Sequence, residues 1–308
     1  MSAHGPPEGV RCAVAARLRG DPLLGTAVPA RRWLFVEQHG GWTADAFGGL
    51  RAPEADKVAL ARLIRRRGVR LMLMRRPSAR AGDVAAPHRW CVVDTEPPVV
   101  EVWGQVDEGG GLGAALAVLE SPRTAEVTPA PGLILVCVNG RKDPCCAVTG
   151  RPVASELARS WPDQVWECTH TGGDRFAANV IVLPDGVCYG GLSPAIARGV
   201  LAAHQAGSPD LAHLRGITGR DPHEQVALAS VGALLGVSPW DRRRLTVAAH
   251  REDRRWWVEV GLDGQLAAIV EGHDEVRAAH HLTCGAVRAT KATAPIVDRV
   301  VSVEATAT

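Results

Sequence analysis

Hydrophobic positions along the chain fall into short strand-like runs and longer helical stripes, and their order occurs twice. Cys12 to Arg19 has the spacing of a short helical turn, and Gly20 to Ala30 reads as loop. Arg32 to Glu37 is rich in aromatic and aliphatic side chains and predicts a strand. Pro53 to Arg67 reads as an amphipathic helix in which Val58, Leu60, Leu63 and Ile64 are apolar, and Gly68 ends it. Strands follow at Arg70 to Met74, Arg89 to Asp94 and Val99 to Trp103, then a helix over Leu112 to Leu119. Ser121 to Pro131 carries three prolines and reads as a linker.

The pattern then starts again. Leu133 to Val138 is a near-continuous apolar run, as in a strand buried on both faces. Cys146 to Trp161 predicts a helix and Gln164 to Cys168 a strand. Asn179 to Leu183 and Val187 to Gly190 form a hairpin across Pro184-Asp185-Gly186, and Ser193-Pro194 opens a helix to about Ala206. The fold class predicted is therefore α/β: two tandem thioredoxin-like β-α-β-β-β-α units plus a small C-terminal α+β region. The boundaries are 1–125, 130–207 and 208–308. In the last part Asp221 to Val237 is helical. Leu245 to His250, Arg255 to Leu262 and Gln265 to Glu271 alternate as a meander, His280 to Arg288 suggests another strand, and Arg299 to Val303 is a weak terminal one.

Composition narrows the classes. With 308 residues, 46% hydrophobic and 22% charged, the chain can bury a sizeable core, and a net charge of +2 selects no partner. Arginine far outnumbers lysine, which occurs only at 57, 142 and 291; with abundant Ala, Gly and Val this suggests a GC-rich bacterial source. No apolar run approaches the roughly 18 residues of a membrane span, and the first residues lack a signal pattern. The expectation is a cytoplasmic protein that engages neither membrane nor nucleic acid. There, eight cysteines point to metal ligation, redox chemistry or burial rather than disulfides.

Two stretches concentrate the chemistry: Val136 to Cys146 and Glu167 to Ala177, which together hold four of the cysteines. Cys137 ends a strand and Cys146 begins a helix, so the loop between them lets two thiolates converge on one metal or cluster, and the helix start favours the charged form. Cys168 and His170 are two apart and share a face of a strand. Gly172 and Gly173 allow the backbone torsions of a loop wrapped around an inorganic group.

These residues carry a resemblance. The Cys-x8-Cys spacing of Cys137 and Cys146, followed by Cys168-Thr-His170-Thr-Gly172-Gly173-Asp174-Arg175-Phe176-Ala177, resembles the sucrase/ferredoxin-like family. The segments Gly20 to Ala27, Arg31 to Leu34 and Leu282 to Gly285 are similar to other parts of its members. The resemblance implies a [2Fe–2S] cluster in a thioredoxin-like ferredoxin domain, with Cys137, Cys146 and His170 as ligands, Gly172, Gly173 and Arg175 beside it, and an unidentified redox partner protein. The family's second histidine is here Asp174. A carboxylate is harder than imidazole and negatively charged, and four ligands are still needed. Three outcomes are open: Asp174 ligates, Cys168 or Cys145 substitutes, or no cluster forms.

Bland readings stand beside these. Cys12, Cys91, Cys188 and Cys284 read as small buried hydrophobes, Asp174 could pair with Arg175 or Arg141, and His280-His281 reads as a surface pair. The arginines from Arg62 to Arg80 read as a solvated face, or else a docking patch. Gly109 to Gly113 lacks dinucleotide-fingerprint spacing, and no paired-carboxylate signature supports sucrose hydrolysis. An electron carrier rather than a stand-alone enzyme is the expectation. The alternatives are a cluster-less thiol-redox or partner-binding protein, and a Cys3His zinc protein using Cys137, Cys146, Cys168 and His170.

Overall fold

The computed structural model describes residues 9–77, 88–122 and 131–303. The elements run α1 (Cys12–Arg19), β1 (Arg32–Glu37), α2 (Ala46–Gly49), α3 (Glu54–Arg67), β2 (Val69–Arg75), β3 (Arg89–Asp94), β4 (Val100–Gln105) and α4 (Gly113–Glu120). They continue with β5 (Leu133–Cys137), α5 (Pro144–Ser160), β6 (Val165–Cys168), β7 (Val180–Leu183), β8 (Val187–Tyr189), α6 (Pro194–Gln205) and β9 (Leu214–Ile217). The last are α7 (Pro222–Leu235), β10 (Leu245–Glu252), β11 (Arg255–Leu262), β12 (Gln265–Val276) and β13 (Thr293–Ser302).

One mixed sheet of nine strands organises the α/β part, in the order β4-β3-β1-β2-β6-β5-β7-β8-β9. Its two halves have matching pairings. β1 lies parallel to β2 and antiparallel to β3, and β3 antiparallel to β4. β5 lies parallel to β6 and antiparallel to β7, and β7 antiparallel to β8. The halves meet where β2 and β6 pair antiparallel through Met74 with Cys168 and Arg75 with Glu167.

Alternation along the strands loads both faces. Leu34 and Val36, with Ile134 and Val136, pack under α3, α4, α5 and α6 through Leu60, Leu116, Leu157 and Leu201. Trp33, Phe35, Leu133, Leu135 and Trp166 form a second apolar layer with Ala27, Val28 and Ala30. Strands buried on both faces have no room for the polar alternation of a half-exposed sheet, which is why these runs read as continuously apolar.

Two expectations fail. His280 to Arg288 is not a strand: apart from a bridge between His280 and Thr290 it is turns and irregular chain. The arginines are not a solvated face throughout. Arg70 stacks on Trp33 and donates to the His170 carbonyl (3.0 Å). Arg75 pairs with Glu167 (2.8 Å), and Arg76 lies 3.6 Å from the Trp166 ring centroid while donating to carbonyls of 162, 163 and 165. Arg62 and Arg65 to Arg67 are exposed on α3, and Arg80 lies outside the described residues, as do 123–130 of the expected linker. Among the described residues no helix is long and apolar enough to cross a membrane.

Candidate metal centre

Cys137 occupies the last position of β5, beside Cys168 of parallel β6. The chain then turns through Asn139 to Asp143, a loop held by the Asn139 side chain on the Thr43 carbonyl (3.0 Å). Asp143 caps α5: its Oδ1 accepts from the Cys145 amide at 2.8 Å, and Pro144 fills the first helical position. The helix therefore starts two residues before the expected Cys146. Gly150 lets it lie close to β5, since a Cβ there would come within 2.1 Å of the Cys137 carbonyl oxygen.

His170 follows β6 in a segment tied to the other half of the sheet. The Thr169 hydroxyl accepts from the Leu73 amide (3.0 Å) and Arg70 holds the His170 carbonyl. Next, Gly172 and Gly173 adopt φ of +92° and +74°. Behind Gly173 lies the fully buried guanidinium of Arg215, which donates to the Gly172 carbonyl (3.0 Å), to Asn179 Oδ1 (2.9 Å) and to Thr26. A side chain at Gly173 would collide with that guanidinium. Asn179 in turn donates to the Gly173 carbonyl at 2.9 Å.

This scaffold brings Cys137, Cys146 and His170 together, with ligand atoms all within 4.8 Å of one another. Asp174 joins them. Its Oδ1 lies 2.9 Å from His170 Nδ1 and 3.2 Å from the Cys146 sulfur. Both thiols are fully buried, while the His170 side chain is 23% exposed. A hydrogen bond from the Cys146 thiol outweighs burial and holds Cys137 well below the ordinary thiol range; His170 and the amides of Asn139 and Thr171 add to it. Cys146 is pushed up, first by the bond it gives Cys137 and then by burial. Burial disfavours the His170 imidazolium, yet Asp174 and the Cys137 sulfur lift it to about 9. Burial likewise opposes ionisation of Asp174, but the His170 partner wins and its carboxyl is depressed.

The other expected residues go elsewhere. Cys168 packs into the apolar layer with Met74 and Trp166, and burial raises its thiol well above the ordinary range. Arg175 turns away from Asp174, to Asp21 at 3.5 Å and over the Phe176 ring. Cys145 joins a second group with Cys12, Asp143 and Cys284, where burial pushes its thiol up to about 11. Sequence reasoning missed Arg215, Asp143 and this second grouping. Their common signal is polar or thiol character beside apolar runs, visible in the sequence only without the contacts that give it meaning.

The donor set fits an iron–sulfur group. Two buried thiols lie beside the His170 imidazole, with the Asp174 carboxylate 2.9 Å from its Nδ1 and 3.2 Å from Cys146 Sγ. The site is thus a buried thiol, imidazole and carboxylate centre at the carboxyl end of a parallel strand pair in a mixed α/β sheet. The profile of the sucrase/ferredoxin-like family matches residues 23–216, a span that includes all four of these residues, and the chain belongs to that family. No match was found among curated proteins or solved structures.

Proposed function

We propose that the protein is a one-electron carrier holding a [2Fe–2S] cluster through Cys137, Cys146, His170 and Asp174. The observation that carries this reading is the grouping of two buried thiols and an imidazole, with ligand atoms within 4.8 Å of one another. When bound, such a cluster supplies reversible one-electron transfer at a potential set by its ligands and surroundings.

The chain's own residues supply the tuning. The Asn139 and Thr171 amides donate to the Cys137 sulfur, and hydrogen bonds of this kind stabilise a thiolate ligand. Arg215 and Asn179 hold the carbonyls of Gly172 and Gly173, fixing the loop between His170 and Asp174. His170 is the exposed edge, which makes it the side on which a redox partner protein docks. A carboxylate in place of a second imidazole leaves the centre more negative, and its potential correspondingly lower. Cys168 and Cys145 point into other clusters, which favours Asp174 as the fourth ligand.

The matching strand orders β4-β3-β1-β2 and β6-β5-β7-β8 support two thioredoxin-like units, of which only the second carries the centre. Eight unpaired cysteines suit a reducing compartment such as the cytoplasm. The test is anaerobic purification with iron and sulfide analysis, absorption, and EPR after dithionite. Iron with matching sulfide and a reduced-state EPR signal is the expected result. Colourless, iron-free, EPR-silent protein after reconstitution refutes the reading.

A further inference from the structure

The second thiol group includes Cys145, the chain neighbour of Cys146, yet draws its other members from different parts of the chain. Cys12 begins α1, Cys145 sits in the first turn of α5, and Cys284 lies in the irregular segment between β12 and β13. Their sulfurs form a nearly equilateral triangle: Cys12 to Cys145 3.6 Å, Cys145 to Cys284 3.4 Å, and Cys284 to Cys12 3.5 Å. A disulfide would draw two sulfurs together and leave the third aside. Three near-equal edges instead suit a common centre, because tetrahedral zinc–thiolate bonds of about 2.3 Å put sulfurs about 3.8 Å apart.

A carboxylate completes the set. Asp143 is fully buried and its Oδ2 lies 3.6 Å from Cys12 Sγ while accepting from the Cys284 amide at 2.7 Å. Burying a carboxylate against three thiols is costly without a cation to balance it. Backbone amides also aim at the sulfurs. The Cys12 amide donates to Cys284 Sγ at 3.4 Å, and the Ala13 amide to Cys145. Both α1 and α5 begin at the cluster, so two helix N-termini favour negative charge there. The site opens on a cleft of about 750 Å³ lined by Arg19, His280 and His281, which gives an ion a way in.

We propose that Cys12, Cys145, Cys284 and Asp143 bind a zinc ion, separate from the Cys137 centre, that fastens the start of α1 and the segment between β12 and β13 to the start of α5. Three thiolates and one carboxylate oxygen in tetrahedral disposition suit a borderline-soft, redox-inert dication. The ion bridges positions 272 residues apart in the chain. Its binding energy therefore adds to folding stability, as for structural zinc generally.

The experiment compares wild type, Cys284→Ser and Cys137→Ser, purified from zinc-supplemented medium, by elemental analysis. Cys284 is exposed and lies in irregular chain, so its replacement is compatible with folding. About one zinc per chain is expected in wild type and Cys137→Ser, and under a tenth of that in Cys284→Ser. Cobalt exchanged into the same proteins should give thiolate-to-cobalt charge-transfer bands that Cys137→Ser keeps and Cys284→Ser loses. Iron should follow the opposite pattern, so failure of this site and failure of the proposed electron-transfer centre are distinguishable. A second readout uses wild type alone: maleimide labelling of Cys284 should accelerate at least about tenfold when a chelator is added, because a metal-bound thiolate is masked. Equal zinc in wild type and Cys284→Ser, a disulfide among the three cysteines in native protein, or iron lost from Cys284→Ser would each overturn the proposal.

Discussion

The two halves of the nine-stranded sheet have the same strand pairings but end their leading strands in different ways. β1 ends at Glu37, followed by Gln38 and His39; β5 ends at Cys137, followed by Val138 and Asn139. In the first half every polar group at that corner is engaged within the protein. Gln38 donates to the Gly49 carbonyl (2.9 Å) and accepts from the Arg51 amide (2.8 Å). Glu37 meets His39 at 3.3 Å and the Arg89 amide at 3.3 Å. In the second half the corner presents two sulfurs and an imidazole, ligands suited to a soft metal, with Asp174 beside them. The same backbone architecture is a closed polar corner on one side and a donor site on the other. The difference lies in a handful of side chains and one glycine: α3 has no glycine, whereas α5 has Gly150 against the Cys137 carbonyl.

The comparison can be broken most severely by removing a thiol. Cys137→Ser or Cys146→Ser should abolish iron binding, read by elemental analysis and absorption, while Gln38→Ala in the first half leaves the iron content unchanged. Gly150→Ala comes next. Alanine gains about 1 kcal/mol of helix propensity, but its Cβ would overlap the Cys137 carbonyl. The overlap should win and lower both melting temperature and iron occupancy. Arg215→Met sharpens the role of the buried guanidinium: it leaves the Gly172 carbonyl and Asn179 unpaired, and should cost about 2–4 kcal/mol in chemical denaturation. Asp174→His should raise the reduction potential by on the order of 100 mV and alter the spectrum if Asp174 ligates; an unchanged spectrum would assign the fourth ligand elsewhere.

The smallest effect is a pH dependence of the iron-free protein. His170 is raised to about 9 from an ordinary value near 6.5. Its contribution to stability is complete below about 6.5 and is lost as pH rises through about 9. Melting temperature should therefore fall between those values, and His170→Gln should remove that component.

Much of this architecture is legible in sequence because strands buried on both faces and amphipathic helices leave strong apolar patterns. Arg32–Glu37, Arg89–Asp94 and Arg255–Leu262 match their expected strands residue for residue. β9 escaped because it is four residues long and holds Arg215 and Gly216, polar and flexible where a strand signal needs apolar side chains. The Cys137, Cys146 and His170 grouping was legible because loop length and strand ends bring near neighbours together. The vicinal cysteines were only half legible. The expected helix start at Cys146 leaves Cys145 in a loop, whereas the start at Pro144 puts both in one turn. Adjacent residues there point about 100° apart, so each faces a different group. Cys12 and Cys284 meet through the whole fold, and no local pattern encodes that.

One further consequence follows from the seam between β2 and β6. It consists of two paired positions, extended by Leu73 with Thr169 and by Arg70 with the His170 carbonyl. Mechanically this is a short lap joint, and the residue bolted nearest its end is His170. A load that peels the two halves of the sheet apart reaches the metal corner at two points: at His170 through Arg70, and at Asn139, two residues past Cys137, through the Thr43 carbonyl. Strain between the halves is thus passed to both the histidine and the thiol side of the corner.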